Sequence, residues 1–359
     1  MGGEKDEFFM RQVLELAKQG ESFVSPNPMV GAVIVCDGGI VAAWHRKFGG
    51  PHAEVLAISL AEKKKMSVKG GTLYVNLEPC VDFEGKKTHG CADAIIKAGI
   101  KRVVVGMLDP NPRVARNGVK ALRKAGISVD VGCLGAEAQK MNKVFVKFIK
   151  TGVPFVTVKI GMSLDGKIAT KTRESKWITG EISRAKVKKI RDANDAILVG
   201  INTVLHDNPE LCGAVREPLR VILDSRLRCK PDAKVLRDSN IVIIATARAA
   251  KSKIKLLEKC GARVKILGKK IEINPLLRYL GKIGISSVLV EGGSEIFGSF
   301  IDSKCVDKVY WFIAPKIIGG RDAIPAVGGS GITNLKNALS LRTKHIHRFG
   351  EDILIEGTL

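Results

Sequence analysis

Aromatic side chains are scarce in this sequence, at 5% of 359 residues, and no uninterrupted apolar run is long enough to cross a bilayer. Collagen-like, coiled-coil and disordered compositions are missing as well. What remains is a chain that is 45% apolar, rich in glycine and built from short Val/Ile runs alternating with helix-like stretches. Such alternation favours α/β layers over a helical bundle or a β-sandwich. The length exceeds one ordinary hydrophobic core and predicts two domains. Eight cysteines follow no even spacing, and no charged-then-apolar leader precedes the first helix-like segment, Glu7 to Gln19. Both absences argue against a disulfide framework and for a reducing, cytoplasmic setting. Asp6 stands where a myristoylation signal would need Ser or Thr. A membrane partner is therefore not expected.

Acidic residues are also outnumbered, giving a net charge of +23. Residues 1–150 hold 23 Lys/Arg against 15 Asp/Glu, and residues 151–359 hold 36 against 21. The excess thus lies mainly in the second half. Runs such as Lys63-Lys64-Lys65 and Lys186 to Arg191 fall on helical patterns and read as solvated faces.

Two apolar runs, Val30 to Val35 and Ile40 to Trp44, flank Asp37-Gly38-Gly39 and predict a hairpin. Helices are expected over Glu54 to Lys65, Cys91 to Ala98, Val119 to Ala125 and Gly135 to Lys150, with strands at Gly71 to Leu77, Arg102 to Gly106 and Ile127 to Val131. Thr151-Gly152-Val153-Pro154 stops the last helix and sets the predicted boundary between domains 1–150 and 151–359. Beyond it, strands are expected at Phe155 to Ile160, Ala196 to Val199, Leu219 to Leu223, Ile241 to Ala245, Val264 to Leu267, Ser287 to Glu291 and Val306 to Ile313. Helices at Ser183 to Ala193, Ser252 to Cys260 and Pro275 to Gly284 separate them, as in a mixed or parallel sheet covered by helices.

Chemistry concentrates in three short segments: His52-Ala53-Glu54, Glu78-Pro79-Cys80 and Cys91 at the head of a helix. An imidazole and two thiolates are borderline-to-soft ligands suited to zinc, and three protein ligands leave the fourth position open for water, as in hydrolytic sites. Glu54, one residue beyond His52 at a helix start, is placed to move protons rather than to bind metal. Singly, each of these residues has a plain packing role. Together, with H-x-E preceding P-C, they point to a zinc-dependent deaminase. No counterpart of the set occurs after residue 154. The second half also lacks a Gly-x-Gly-x-x-Gly fingerprint, although Ser287 to Glu291 runs into Gly292-Gly293-Ser294 and a helix whose free N–H groups suit a phosphate.

The segments Pro26-Asn27-Pro28-Met29-Val30-Gly31, Gly50-Pro51-His52-Ala53-Glu54, Leu77-Glu78-Pro79-Cys80, Cys91-Ala92-Asp93-Ala94 and Asp109-Pro110-Asn111-Pro112 resemble the bifunctional deaminase/reductase family of riboflavin biosynthesis. So do Ser163-Leu164-Asp165-Gly166, Ser175-Lys176-Trp177-Ile178-Thr179, Asp207-Asn208-Pro209 and Val290-Glu291-Gly292-Gly293. The resemblance spans nearly the whole chain. It implies an N-terminal cytidine-deaminase-like three-layer domain followed by a dihydrofolate-reductase-like α/β domain. Zinc would be bound by His52, Cys80 and Cys91, with Glu54 as proton shuttle and Asn27 and His45 beside the pyrimidine. NADPH would meet Gly161, Trp177, Thr203, Asp207, Ser225 and Gly293. The substrate would meet Lys159, Ser175, Arg191, Leu211 and Glu291, with Arg191 on its phosphate. The implied partners are a pyrimidine ribosylamino phosphate, NADPH and further copies of the chain.

Three departures from the family pattern stand out. The gap from Cys80 to Cys91 is about two residues longer, and its Thr88-His89-Gly90 brings in His89 as a rival ligand or a solvated loop histidine. The loop arginine expected three residues after Leu211 is displaced to Arg216, which would still meet the substrate phosphate if the loop bulges. Arg116 occupies a place where glycine is usual and reads as a surface change. Competing functions are a deaminase with an impaired reductase, a nucleic-acid base deaminase, and a basic nucleic-acid-binding protein on a retired scaffold. The charge distribution and the long cysteine gap count against nucleic acid, and the intact zinc set counts against retirement.

Overall fold

The apolar runs spaced between helical stretches become the strands of two separate sheets. A computed structural model describes residues 2–82, 90–112 and 115–359. In it the chain forms two compact units, Met1–Gly152 and Val153–Leu359. His89 lies outside the described residues.

Unit 1 runs α1 (Gly2–Lys18), β1 (Gly31–Cys36), β2 (Gly39–Trp44), α2 (Ala53–Lys63), β3 (Thr72–Leu77), α3 (Cys91–Lys97), β4 (Arg102–Met107), α4 (Asn117–Lys124), β5 (Ser128–Val131), α5 (Gly135–Met141) and α6 (Lys143–Thr151). Its sheet has the order β2-β1-β3-β4-β5. The β1–β2 hairpin and the β1–β3 pair are antiparallel, and β3, β4 and β5 are parallel. Strands covered on both faces read as near-continuous apolar runs, as β1, β3 and β4 do. Ile34, Val75 and Val105 face a cluster containing Ala57, Ile95 and Leu122 from α2, α3 and α4. The intervening Val33, Tyr74 and Val104 pack on Phe9, Met10 and Val13 of α1. The result is three layers.

One expectation is corrected here. The helix predicted over Gly135 to Lys150 is interrupted at Asn142, which closes α5 and opens α6. The buried Asn142 amide accepts from the Met29 N–H at 2.8 Å and donates to the Met29 carbonyl at 3.0 Å. This tertiary pair of bonds overrides a periodicity that would carry one helix through.

Unit 2 runs β6 (Phe155–Ser163), β7 (Lys167–Ala169), α7 (Glu181–Asp192), β8 (Ala196–Gly200), α8 (Ile201–Asp207), β9 (Leu219–Leu223), β10 (Ile241–Ala245), α9 (Lys251–Lys259), β11 (Arg263–Ile266), α10 (Ile273–Lys282), β12 (Ser287–Gly292), α11 (Ser294–Asp302), β13 (Lys308–Ala314), β14 (Ile324–Pro325), β15 (Arg342–Phe349) and β16 (Asp352–Thr358). Nine strands form one sheet in the order β11-β10-β9-β8-β12-β6-β13-β16-β15, and β14 pairs with β7. From β11 to β13 the pairing is parallel; β16 and β15 are antiparallel. The sequence reading lacks α8, β7 and β14 to β16. β15, at the sheet edge, is Arg-Thr-Lys-His-Ile-His-Arg-Phe, a charged edge of the kind that resists pairing with other chains and shows no apolar alternation.

Candidate functional site

In unit 1 the chain ends β3 with Leu77, and Glu78-Pro79 carries it to Cys80 over the sheet's C-terminal edge. Glu78 is buried. Its Oε2 accepts from the N–H groups of Asp109 (3.2 Å) and Arg116 (2.9 Å), and its Oε1 from that of Val119 (3.1 Å). Glu78 therefore buttresses the neighbouring loop, and the sequence gives it no separate signal. Arg116 takes φ +65, the left-handed region where glycine is at ease. Its side chain is exposed, but its backbone N–H is held by Glu78, so the replacement of glycine is more than a surface change.

His52 caps the N-terminus of α2, with Glu54 in its first turn, and Cys91 is the first residue of α3. The His52 Nδ1 lies 3.2 Å from the Cys91 Sγ and 3.4 Å from the Cys80 Sγ. All three ligand atoms fall within 4.8 Å of one another. The Cys91 N–H also donates to the Cys80 Sγ at 3.5 Å. Two helix N-termini aim their positive ends at this point, which favours thiolates. Glu54 is 3% exposed, and its Oε2 is buried without a hydrogen-bond partner. Burial first, and the nearby Cys80 second, push its carboxyl pKa up.

His45 is buried, with Nδ1 2.9 Å from the Pro51 carbonyl and Nε2 3.2 Å from Asn27 Nδ2. A carbonyl can only accept, so Nδ1 carries the proton and Nε2 accepts from Asn27. Burial lowers the His45 pKa and keeps this neutral tautomer. Its ring meets that of His52 edge-on at 5.4 Å.

Gly118 explains how tightly this end is packed. A Cβ there would lie 1.9 Å from the Pro79 carbonyl oxygen, one residue before Cys80. Gly118→Ala is expected to push Cys80 away from His52 and Cys91 and to weaken zinc retention about tenfold or more, as loss of ligand support commonly does. Competition with a chelating dye checks this; unchanged retention would show that the Cys80 segment yields without harm.

In unit 2 the C-terminal ends of the parallel strands surround a cavity of about 1000 Å³, the place where open α/β sheets bind ligands. β6 brings Lys159 and Gly161 to its wall, and β12 brings Glu291. The Glu291 carboxylate receives the Arg191 guanidinium in a fork, Nε at 2.5 Å and Nη2 at 3.0 Å, and the Lys159 ammonium at 3.1 Å. Burial opposes ionisation of Glu291, but Arg191 and Lys159 outweigh it and hold the carboxyl at about 2. Ser175 donates to Asp207 at 2.7 Å. Trp177 is largely exposed, with the Arg184 guanidinium 4.5 Å from its ring centroid. Thr203 abuts the Gly292-Gly293 turn, where a Cβ on Gly292 would lie 2.8 Å from Thr203 Oγ1 and Gly293 takes φ +88.

The cavity thus gathers Lys159, Gly161, Ser175, Trp177, Arg191 and Thr203, and also Asp207, Leu211, Glu291 and Gly293. Two expected residues do not line it. Ser225 lies two residues beyond Leu223, which does, and its carbonyl accepts from Thr246. The Arg216 guanidinium donates to the Asp192 carbonyl at 3.1 Å, and the N–H groups of Ala214, Val215 and Arg216 close on the Asp192 carboxylate. This loop folds onto its own anion. Lys188 and Arg184 do line the cavity; the sequence reading leaves Arg184 unmarked and takes the run containing Lys188 as a solvated face.

Comparisons with known proteins decide what these two sites belong to. The cytidine and deoxycytidylate deaminase zinc-binding region matches residues 3–107, and the RibD C-terminal domain matches residues 154–355. The riboflavin biosynthesis protein RibD of Aquifex aeolicus is 42% identical over 357 residues, covering 98% of each chain. That of Bacillus amyloliquefaciens is 42% identical over 356 residues, covering 97% of this chain and 95% of the other. The chain belongs to the RibD family. A solved diaminohydroxyphosphoribosylaminopyrimidine deaminase/5-amino-6-(5-phosphoribosylamino)uracil reductase from Thermotoga maritima superposes with a TM-score of 0.87 at 36% identity, covering 100% of this chain and 99% of that one.

The RibD-family chain is therefore an enzyme with a deaminase half and a reductase half, acting in riboflavin biosynthesis, and its two cofactors are zinc and NADPH. An N-terminal cytidine-deaminase-like domain and a C-terminal reductase domain are its fold. The donors in unit 1 fit zinc: one imidazole, two thiols and a buried carboxylate oxygen left without a partner beside them. The cavity of unit 2 has the Gly-Gly turn and helix start suited to a pyrophosphate. No helix of the described residues is long and apolar enough to cross a membrane.

Proposed function

We propose that unit 1 removes the 2-amino group of 2,5-diamino-6-ribosylamino-4(3H)-pyrimidinone 5′-phosphate and that unit 2 then reduces the ribosyl group of the product to ribityl. The observation that carries the first assignment is the unpartnered Oε2 of Glu54 beside His52, Cys80 and Cys91. When bound to these three residues, zinc supplies a Lewis acid that ionises water near neutral pH. Glu54 takes up the proton released by water and returns it to the departing amine. Its burial suits that task, because a raised carboxyl pKa lets it hold a proton between the two transfers. Asn27 and the neutral His45 form one hydrogen-bonded unit that presents fixed polar atoms to the pyrimidine.

In unit 2, NADPH held in the cavity would supply the hydride for C1′ of the opened ribose, the second hydrogen coming as a proton from water. The Lys159–Glu291–Arg191 cluster combines two cations with one carboxylate and so keeps one net positive charge at the wall, favouring an anionic sugar phosphate. Gly161, Thr203 and the Gly293 turn form a surface with little side-chain bulk, which admits the nucleotide. Oligomerisation with further copies of the chain is part of the same reading and rests on the family resemblance.

The test is mass spectrometry of the product from the diamino substrate, with zinc present and NADPH supplied or withheld. Without NADPH the mass should change by loss of ammonia and gain of water; with NADPH two further hydrogens should appear. No change in either case from zinc-loaded protein would overturn the assignment.

A further inference from the structure

The loop that carries Arg216 is folded away from the cavity wall: its backbone donors hold the Asp192 carboxylate, its guanidinium donates to the Asp192 carbonyl, and Arg216 does not line the cavity. Asp192 is buried, so opening this loop would strand a carboxylate that now has four donors to it or its carbonyl. Yet the substrate carries a phosphate, and Arg191, the cation that the family resemblance assigns to it, has its fork on Glu291 and another N–H on the Cys212 carbonyl at 2.9 Å.

A different source of positive charge faces the same cavity. Arg184, Val187, Lys188 and Arg191 all line it, and their spacing of i, i+3, i+4 and i+7 is one face of α7. On this face Val187 is buried and Lys188 is exposed. Arg184 donates one N–H to the Thr179 carbonyl at 2.8 Å and keeps the rest of its guanidinium over Trp177. The Lys188 side chain makes no hydrogen bond or ion pair among the described residues. Of the other cavity-wall cations, Lys159 is engaged on Glu291 at 3.1 Å and Lys176 on the Asp207 carbonyl at 2.5 Å, while Arg173 and Lys234 lie off this face, between β7 and α7 and between β9 and β10.

We propose that Lys188, assisted by Arg184, holds the 5′-phosphate of the sugar substrate in unit 2, taking the part that Arg216 has left. The proposal rests on the reductase reading of this cavity and adds a specificity residue to it. A lysine suits this place because an exposed position can meet a phosphate with a point charge on a long, flexible stem. The 2′-phosphate of NADPH offers the same chemistry. Arg184 touches the nucleotide side through Trp177, but the substrate is favoured because Lys188 is one turn from Arg191, which the family resemblance gives to the substrate, whereas Thr203 on α8 and the Gly293 turn before α11 are on other elements.

The experiment uses the full chain and reads the reductase step with Lys188→Ala, Lys188→Arg and Arg216→Ala. A lost charge-assisted hydrogen bond predicts a KM for the phosphorylated substrate raised about tenfold to a hundredfold in Lys188→Ala. The KM for NADPH should hold within about twofold, and Lys188→Arg should restore most of the loss. Substrate lacking the phosphate should be handled equally by wild type and Lys188→Ala. A rise in the NADPH KM instead would assign the stripe to the cofactor and overturn the proposal. So would a larger effect of Arg216→Ala than of Lys188→Ala. Calorimetric titration with ribose 5-phosphate separates this idea from the reading it rests on: binding lost in Lys188→Ala supports the stripe even if wild type reduces no pyrimidine, and binding equal in both proteins sinks it.

Discussion

Replacing Glu54 by Gln is expected to reduce deamination by about 10³-fold or more while leaving one zinc per chain. The side chains are nearly the same size, and Glu54 sits in a packed, 3% exposed position, so the fold and the three ligands should persist. What disappears is a group able to accept a proton and give it back. General acid–base transfer alone accounts for about 10²–10⁴ in rate, and here one carboxylate serves both the attacking water and the leaving amine. The pair of measurements is zinc content by elemental analysis and ammonia release by coupled assay. Zinc retained with activity lost would place Glu54 in proton transfer. Zinc and activity lost together would make Glu54 a ligand or support of the metal, and near-normal activity would assign the proton transfer elsewhere. The NADPH-dependent step, supplied directly with the deaminated intermediate, should be unaffected.

The zinc set could be read from the sequence because zinc chemistry restricts residue type so strongly: His, Cys and Cys with a carboxylate one residue from the histidine have few other joint uses. The parallel strands were legible for a similar reason, since burial on both faces leaves uninterrupted Val/Ile runs. Features depending on distant partners were not. Asn142 gives no local sign that it will reach Met29 and break a helix. Glu78 stands in the same motif as Cys80, yet it serves the backbone of the 109–119 loop. The fate of Arg216 turns on Asp192, which is 24 residues away on α7. Lys188 was hidden differently. A basic run on an amphipathic helix looks alike whether its face meets water or a cavity, and only the sheet behind α7 distinguishes the two. The large positive charge of the second half is explained in part by such cavity-facing cations.

The largest stability effect should come from Glu291→Ala. Its carboxylate is 4% exposed and sits between Arg191 and Lys159, whose side chains are 18% and 16% exposed. Removing it leaves two cations with little water and no counter-charge, a change that costs about 3–5 kcal/mol when a buried pair is broken. For a unit of this size that corresponds to a melting temperature lower by on the order of 10 °C, measured by differential scanning calorimetry of the full chain. Replacing Lys159, Arg191 and Glu291 together by Met should recover much of the loss, because the buried charges go as well, although the reductase step would remain dead. The pH dependence has a definite sign. The folded pKa of Glu291, about 2, lies below its ordinary value of 4.5, so the native state gains nothing from this group at very low pH. Its contribution grows as pH rises from about 2 and is complete above about 4.5. Wild type should therefore lose stability on acidification through that window, and Glu291→Ala should show a shallower loss there. Parallel acid profiles for the two proteins would mean that the carboxylate is not ionised by its neighbours, and the electrostatic account of this cavity wall would fail.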